Sequence, residues 1–111
     1  AIDQQAHGRT ADIDRPLTLE NMANDTIALL KQLGITKADF FGYSMGSGIA
    51  LNIAINHPEV IRKLVMASVT YNNDGFIPGL IAGMENMNAD MMIGSPWQLE
   101  YASIAPRPAG A

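Results

Sequence analysis

The chain has 111 residues, the length of one domain of modest size. Its composition, 48% hydrophobic and 16% charged, supports a buried core and argues against a disordered chain. Seven basic against eleven acidic residues leave a formal charge of −4, with no basic patch to attract nucleic acid. Residues 1–17 read as loop: Asp3, Gly8, Asp12, Asp14 and Pro16 interrupt any regular apolar period. Thr18 is a candidate N-cap, and Leu19, Met22, Ala23, Ile27, Leu30 and Leu33 recur at helical spacing. The spacing predicts a helix over 19–33, ended by Gly34 in the left-handed conformation. Phe40, Phe41 and Tyr43 predict a strand over 38–43. Residues 45–56 are apolar almost all round, which predicts a buried helix stopped by Pro58. Leu64, Val65 and Met66 predict an interior parallel strand over 62–67. This alternation of helix and strand predicts an α/β architecture with a parallel sheet.

Beyond Ser68 the pattern changes. Residues 71–75 form a polar loop with an Asp-Gly turn signal. Leu80, Met84, Met87 and Met91 predict a helix over 79–92, weakened by ~1 kcal/mol at each of Gly79 and Gly83. Ser95, Pro96 and Gln98 form a helix start, with Trp97, Tyr101 and Ile104 on one face until Pro106 and Pro108.

Residues 42–46 read Gly-Tyr-Ser-Met-Gly, a match to Gly-x-Ser-x-Gly. Alone this is a weak signal in a chain with ten glycines. Its placement between a predicted strand and a predicted buried helix is what a nucleophile elbow requires. Ser44 would project from a sharp turn. Gly42 and Gly46 would keep the flanks free of side chains so that strand and helix approach closely. The helix N-terminus would lend its positive dipole end, and the Met45 N–H would face a developing oxyanion.

With these residues in view, the chain resembles the α/β-hydrolase fold family. The resemblance rests on residues 3–10 (Asp-Gln-Gln-Ala-His-Gly-Arg-Thr), Gly34-Ile35, residues 40–46 and residues 57–65, and covers about 1–68. It is most similar to the branch of esterases, enol-lactonases and cofactor-free haloperoxidases. Ala6 stands where glycine commonly precedes His-Gly, and Ser47 where a second glycine often follows. The resemblance implies a three-layer parallel-sheet fold, with 1–70 in the central core domain and 71–111 at the start of a helical cap. It implies a serine hydrolase acting on a small ester, thioester or lactone, with Ser44 as nucleophile, Met45 in the oxyanion hole and no cofactor. The family's triad runs Ser, acid, His. No histidine follows His57, so the acid and histidine are expected outside this chain. The chain is therefore expected to be the central slice of a longer domain, inactive, marginally stable and prone to association by itself.

Other readings accompany these. His7 is a candidate base, but its place before the serine favours a loop histidine that shapes a cavity floor. His57, at a helix end, reads as structural. Asp74 could be the triad acid that some relatives place after this strand, or an ordinary turn residue. Met84, Met87, Met91 and Met92 could line an acyl pocket or pack a cap helix. Trp97 and Tyr101 read as packing residues. Asp3, Asp12 and Asp14 lack calcium-loop spacing and read as solvated. A different class of function is a dinucleotide-binding module resembling short-chain dehydrogenases, using Gly42, Gly46 and Gly48 for NAD(P). Against it, Ala67-Ser68 stands where an acidic residue should close the next strand, and no Tyr-x-x-x-Lys pair exists. A third is a non-catalytic relative used for binding. Without cysteines there is no disulfide framework or thiolate metal site, and His7 and His57 show no metal-ligand spacing. The apolar runs fall short of the ~20 residues that span a bilayer. With no cysteines and no visible signal-peptide pattern a cytoplasmic location is expected, the true N-terminus being expected to lie outside this chain.

Overall fold

The structure is a computed structural model that describes residues 1–108, in two compact units. One comprises residues 15–70, the other residues 1–14 with 71–108.

In the first unit, helix α1 spans Leu19–Gln32. Thr18 caps it, its Oγ1 accepting from the Asn21 N–H at 3.1 Å, and the Asn21 side chain donates to the Pro16 carbonyl at 2.8 Å. Glu20 in the first turn and Lys31 in the last complement the helix dipole. At the far end Gly34 adopts φ +70°. There the Gly34 N–H donates to Lys31 O at 3.0 Å and the Ile35 N–H to Leu30 O at 2.8 Å. This bonding pair is the Schellman arrangement that a left-handed residue allows.

Strands β1 (Ala38–Tyr43) and β2 (Ile61–Ala67) pair in parallel, with Phe40 opposite Leu64, Phe41 opposite Val65 and Tyr43 opposite Ala67. Helix α2 (Met45–Asn56) is the crossover between them. His57 ends it, and Pro58 opens a short 3₁₀ turn, Pro58–Val60, that leads into β2. The core lies where α1 meets α2: Met22, Ala23 and Ile27 pack with Ile49 and Ile53, joined by Phe40, Val60 and Ile61. Ile53 is completely buried, a gain of about 1.5–3 kcal/mol over an exposed side chain. At the start of the sheet Arg62 donates to both carboxylate oxygens of Asp39, each at 2.8 Å.

Two expectations require correction here. Helix α2 is buried on one side only; Ile55 is 69% exposed. Its apolar residues surround the axis, but α1 and the sheet cover only the side bearing Ile49, Ala50 and Ile53. Nor is β2 interior, because Phe41 is 75% and Val65 55% exposed on one face of the sheet.

In the second unit, residues 1–14 form a hydrogen-bonded loop. The Asp3 carboxylate accepts from the Arg9 N–H at 3.0 Å, and the Thr10 hydroxyl donates to Asp3 O at 2.7 Å. Gln5, buried, donates to the Asp12 carboxylate at 2.7 Å. Asp3 and Asp12 are thus loop-building acceptors rather than merely solvated acids. Ala6 has φ +59°, a conformation that costs a residue with a Cβ about 1–2 kcal/mol. The Arg107 guanidinium donates to the Asp12 carbonyl.

Asn73–Gly75 forms a 3₁₀ turn, and helix α3 spans only Leu80–Glu85. The expected helix over 79–92 is broken. The Asn86 side chain donates to Ala82 O at 2.7 Å, and the Asn88 side chain caps a separate 3₁₀ turn, Ala89–Met92. Asparagine amides compete in this way with continued helix. Helix α4 spans Pro96–Ile104, with Ser95 Oγ accepting from the Gln98 N–H at 3.2 Å. The Gln98 side chain reaches back to accept from the Gly94 N–H. Trp97 is largely exposed on this helix rather than packed. Among the described residues no helix is long and apolar enough to cross a membrane.

Candidate functional site

Ser44 is the single residue between β1 and α2. Its backbone sits at φ 51°, ψ −118°, a region that residues with a Cβ rarely occupy. Such conformations persist only where the surroundings over-determine them. Here the Ser44 N–H donates to Ala67 O on β2 at 3.0 Å, while the Ser44 carbonyl accepts from Ser47 N–H at 2.9 Å and Gly48 N–H at 3.2 Å. The turn is therefore held from both sides. Ser44 itself is exposed.

The glycines around it do different work. Gly42 is buried, and a Cβ there would lie 2.6 Å from Gly46 O and from Ser47 Cα. Strand and helix touch backbone to backbone at this point. Gly46 differs from expectation: a Cβ there meets nothing within 4 Å among the described residues, so it is not needed for the close approach. A Cβ on Gly48 would lie 3.1 Å from Leu19 Cδ1, so that glycine seats α2 against α1.

Met45 and Gly46 open α2, ahead of the Ser47 and Gly48 N–H groups that start its internal bonding. The first N–H groups of a helix have no partner within the helix. No acidic side chain occupies the first turn. An anion forming beside Ser44 would meet the positive end of α2.

Other candidates fall elsewhere. His57 caps the opposite end of α2, ~18 Å along the axis from Ser44, and its Nδ1 lies 3.5 Å from Glu59. It therefore cannot act as a base on Ser44. It borders a polar cleft of about 430 Å³ with Glu20, Asn24, Asn52 and Asn56. His7 is exposed, its Nδ1 2.8 Å from Gln5 O. A carbonyl only accepts, so Nδ1 carries the proton and Nε2 is the basic nitrogen. Asp74 lies in its 3₁₀ turn, accepting from the Asn72 side chain at 3.4 Å. Met84 lines an open apolar cleft with Phe76 and Ile81, and Met84, Met87 and Met91 are all exposed. Among the described residues no group of three His, Asp or Glu could hold a metal ion.

Sequence reading passed over the role of Ser47. Its side chain is completely buried, with Oγ donating to Ala67 O at 2.8 Å and accepting from the Ala67 N–H at 3.0 Å. The signal available was a hydroxyl where a glycine often stands.

A family model described as the alpha/beta hydrolase fold matches residues 1–97. The zebrafish (Danio rerio) sn-1-specific diacylglycerol lipase ABHD11 is 31% identical over 88 residues, 79% of this chain and 25% of that protein. A Mycobacterium phage D29 protein carrying a non-heme haloperoxidase name is 36% identical over 66 residues, 60% of this chain and 24% of that protein. The chain spans about a quarter of the length of these curated relatives. A solved structure, described as "Est816 as an N-Acyl homoserine lactone degrading enzyme", superposes with a TM-score of 0.63 at 22% identity. The match covers 95% of this chain and 49% of that one, and it shows a shared fold.

Proposed function

The chain belongs to the alpha/beta hydrolase fold family, and from that premise we propose that it carries the nucleophile elbow of a serine hydrolase acting on an ester, thioester or lactone. The observation that carries this reading is the backbone of Ser44, at φ 51° and ψ −118° between a parallel strand and a helix N-terminus. In this reading Ser44 Oγ attacks the acyl carbon and gives its proton to a histidine. The Met45 N–H donates to the oxyanion of the tetrahedral intermediate. Collapse expels the alcohol or thiol, which takes the proton from the histidine. Water then releases the acid from the acyl-enzyme and regenerates Ser44. His57 is too far along α2 to serve, and no histidine follows it in the sequence. In this reading the triad histidine, and with it the acid that orients it, is assigned to the protein outside these residues, Asp74 remaining a turn residue. Residues 1–70 are assigned to the core domain and 71–111 to the start of its cap. The relatives' names, a diacylglycerol lipase among them, support an acyl ester as substrate.

Two alternatives predict otherwise. A dinucleotide module would need Gly48 open to a pyrophosphate, yet Gly48 faces Leu19. A non-catalytic relative would keep the elbow without reactivity. Labelling by a fluorophosphonate probe decides. The full-length protein is expected to label and its Ser44→Ala variant not to label. Equal labelling of both, or of neither, overturns the proposal. The 111-residue chain alone is expected to turn over activated esters poorly.

A further inference from the structure

Three hydrogen bonds converge on one residue, Ala67, at the end of β2. The Ala67 carbonyl accepts from the Ser44 N–H at 3.0 Å and from the Ser47 hydroxyl at 2.8 Å. The Ala67 N–H donates to Ser47 Oγ at 3.0 Å. Ser47 lies in the first turn of α2, is completely buried, and follows Ser44 by three residues. Its own N–H donates to the Ser44 carbonyl at 2.9 Å. Ser47 is thus bonded to both neighbours of the site: to Ser44 through its backbone and to β2 through its side chain. The residue after Ala67, Ser68, turns left-handed at φ 56°, so the chain leaves the sheet immediately beyond this contact.

We infer that Ser47 is a positioning residue of the elbow. Its hydroxyl clamps the first turn of α2 to the end of β2. The clamp holds the unfavourable backbone of Ser44 in place and aims the Met45 N–H. An unfavourable backbone relaxes unless its surroundings over-determine it. The Ser44 N–H bond to Ala67 restrains one side of the turn. Ser47 restrains the other by holding the helix to the same residue. This inference rests on Ser44 being the nucleophile. It goes further by giving a function to a side chain that never touches the substrate.

The test compares Ser47→Ala, Ser47→Cys and Ser47→Thr in the full-length protein. The measured quantity is the rate constant of Ser44 phosphonylation by a fluorophosphonate, taken well below each variant's unfolding midpoint. Every molecule counted is then folded, so a loss of stability alone leaves the rate unchanged. Displacement of a nucleophile and its oxyanion donor is costly, so Ser47→Ala is expected to react at least about tenfold more slowly. Ser47→Thr keeps the hydroxyl and is expected to recover most of that loss. Ser47→Cys offers only a weak donor and is expected to fall between them. It also takes over the comparison if Ser47→Ala does not fold. Wild-type rates in both Ser47→Ala and Ser47→Cys overturn the clamp while leaving Ser44 as nucleophile. A wild-type protein that does not label overturns the nucleophile reading, and the clamp's catalytic role with it.

Discussion

Gly42 shows how much depends on a single missing methyl group. A Cβ at this position would lie 2.6 Å from the backbone of Gly46 and Ser47, and backbone cannot swing aside as a side-chain tip can. Gly42→Ala should therefore part β1 from α2. The expected cost is about 2–3 kcal/mol, measured by urea unfolding, together with slower phosphonylation of Ser44. Gly46→Ala should cost far less, because its Cβ meets open space. Equal effects at the two sites would contradict the account of the elbow. The Gly-x-Ser-x-Gly pattern was legible as a sharp strand-to-helix turn, but the unequal roles of its two glycines were not. Spacing identifies both alike, whereas the contact depends on which faces the helix. Ser47 was hidden for a related reason. Its partner, Ala67, lies twenty residues away and is met only through the fold.

At the level of elements, chain-local chemistry was the readable part. Thr18 starts α1, Gly34 ends it, Pro58 closes α2 and Ser95-Pro96 opens α4. Each acts within a few residues of its own position, so the sequence contains both partners. The strand over 38–43 and the helix over 45–56 have the expected bounds for the same reason. The break between α3 and the 3₁₀ turn was not legible, because Leu80, Met84, Met87 and Met91 keep a helical spacing across it, while Asn86 and Asn88 interrupt the helix only through side-chain bonds to the backbone. A pH effect belongs to this scale. Arg62, donating to Asp39 across the two strands, holds that carboxyl below the usual carboxylate range. A carboxyl lowered in the folded state stabilises above the unfolded value of about 3.9, and that stability is lost as pH falls through the folded value. Asp39→Asn should therefore narrow the gap between urea midpoints measured near pH 7 and below about pH 3. The pair is exposed, so the change should be small. An unchanged gap would show that the pair does not contribute.

For the molecule as a whole, the sheet is the informative feature. Parallel sheets are ordinarily covered on both faces. Here Phe41 and Tyr43 on β1 share a face with Val65 on β2, and all three are exposed. An apolar face of this kind promotes association. The 111-residue chain alone should therefore show a concentration-dependent mass by sedimentation velocity, reduced in the Phe41→Lys, Val65→Lys double variant. A monomer at every concentration would contradict this. Composition could not show that face, because a count of apolar residues does not say which of them the fold covers. The helix–strand alternation did announce the architecture, which the family match and the shared fold bear out.

The central claim is that Ser44 bears the acyl group. It is tested most directly by trapping the covalent adduct in the full-length protein and locating it by peptide mass spectrometry. Trypsin cutting after Lys37 and Arg62 yields one peptide that contains both Ser44 and Ser47. Fragmentation then distinguishes the strained, exposed serine from the buried one. The account predicts the adduct on Ser44 and an unmodified Ser47. An adduct on Ser47, or on any residue outside this peptide, would contradict it.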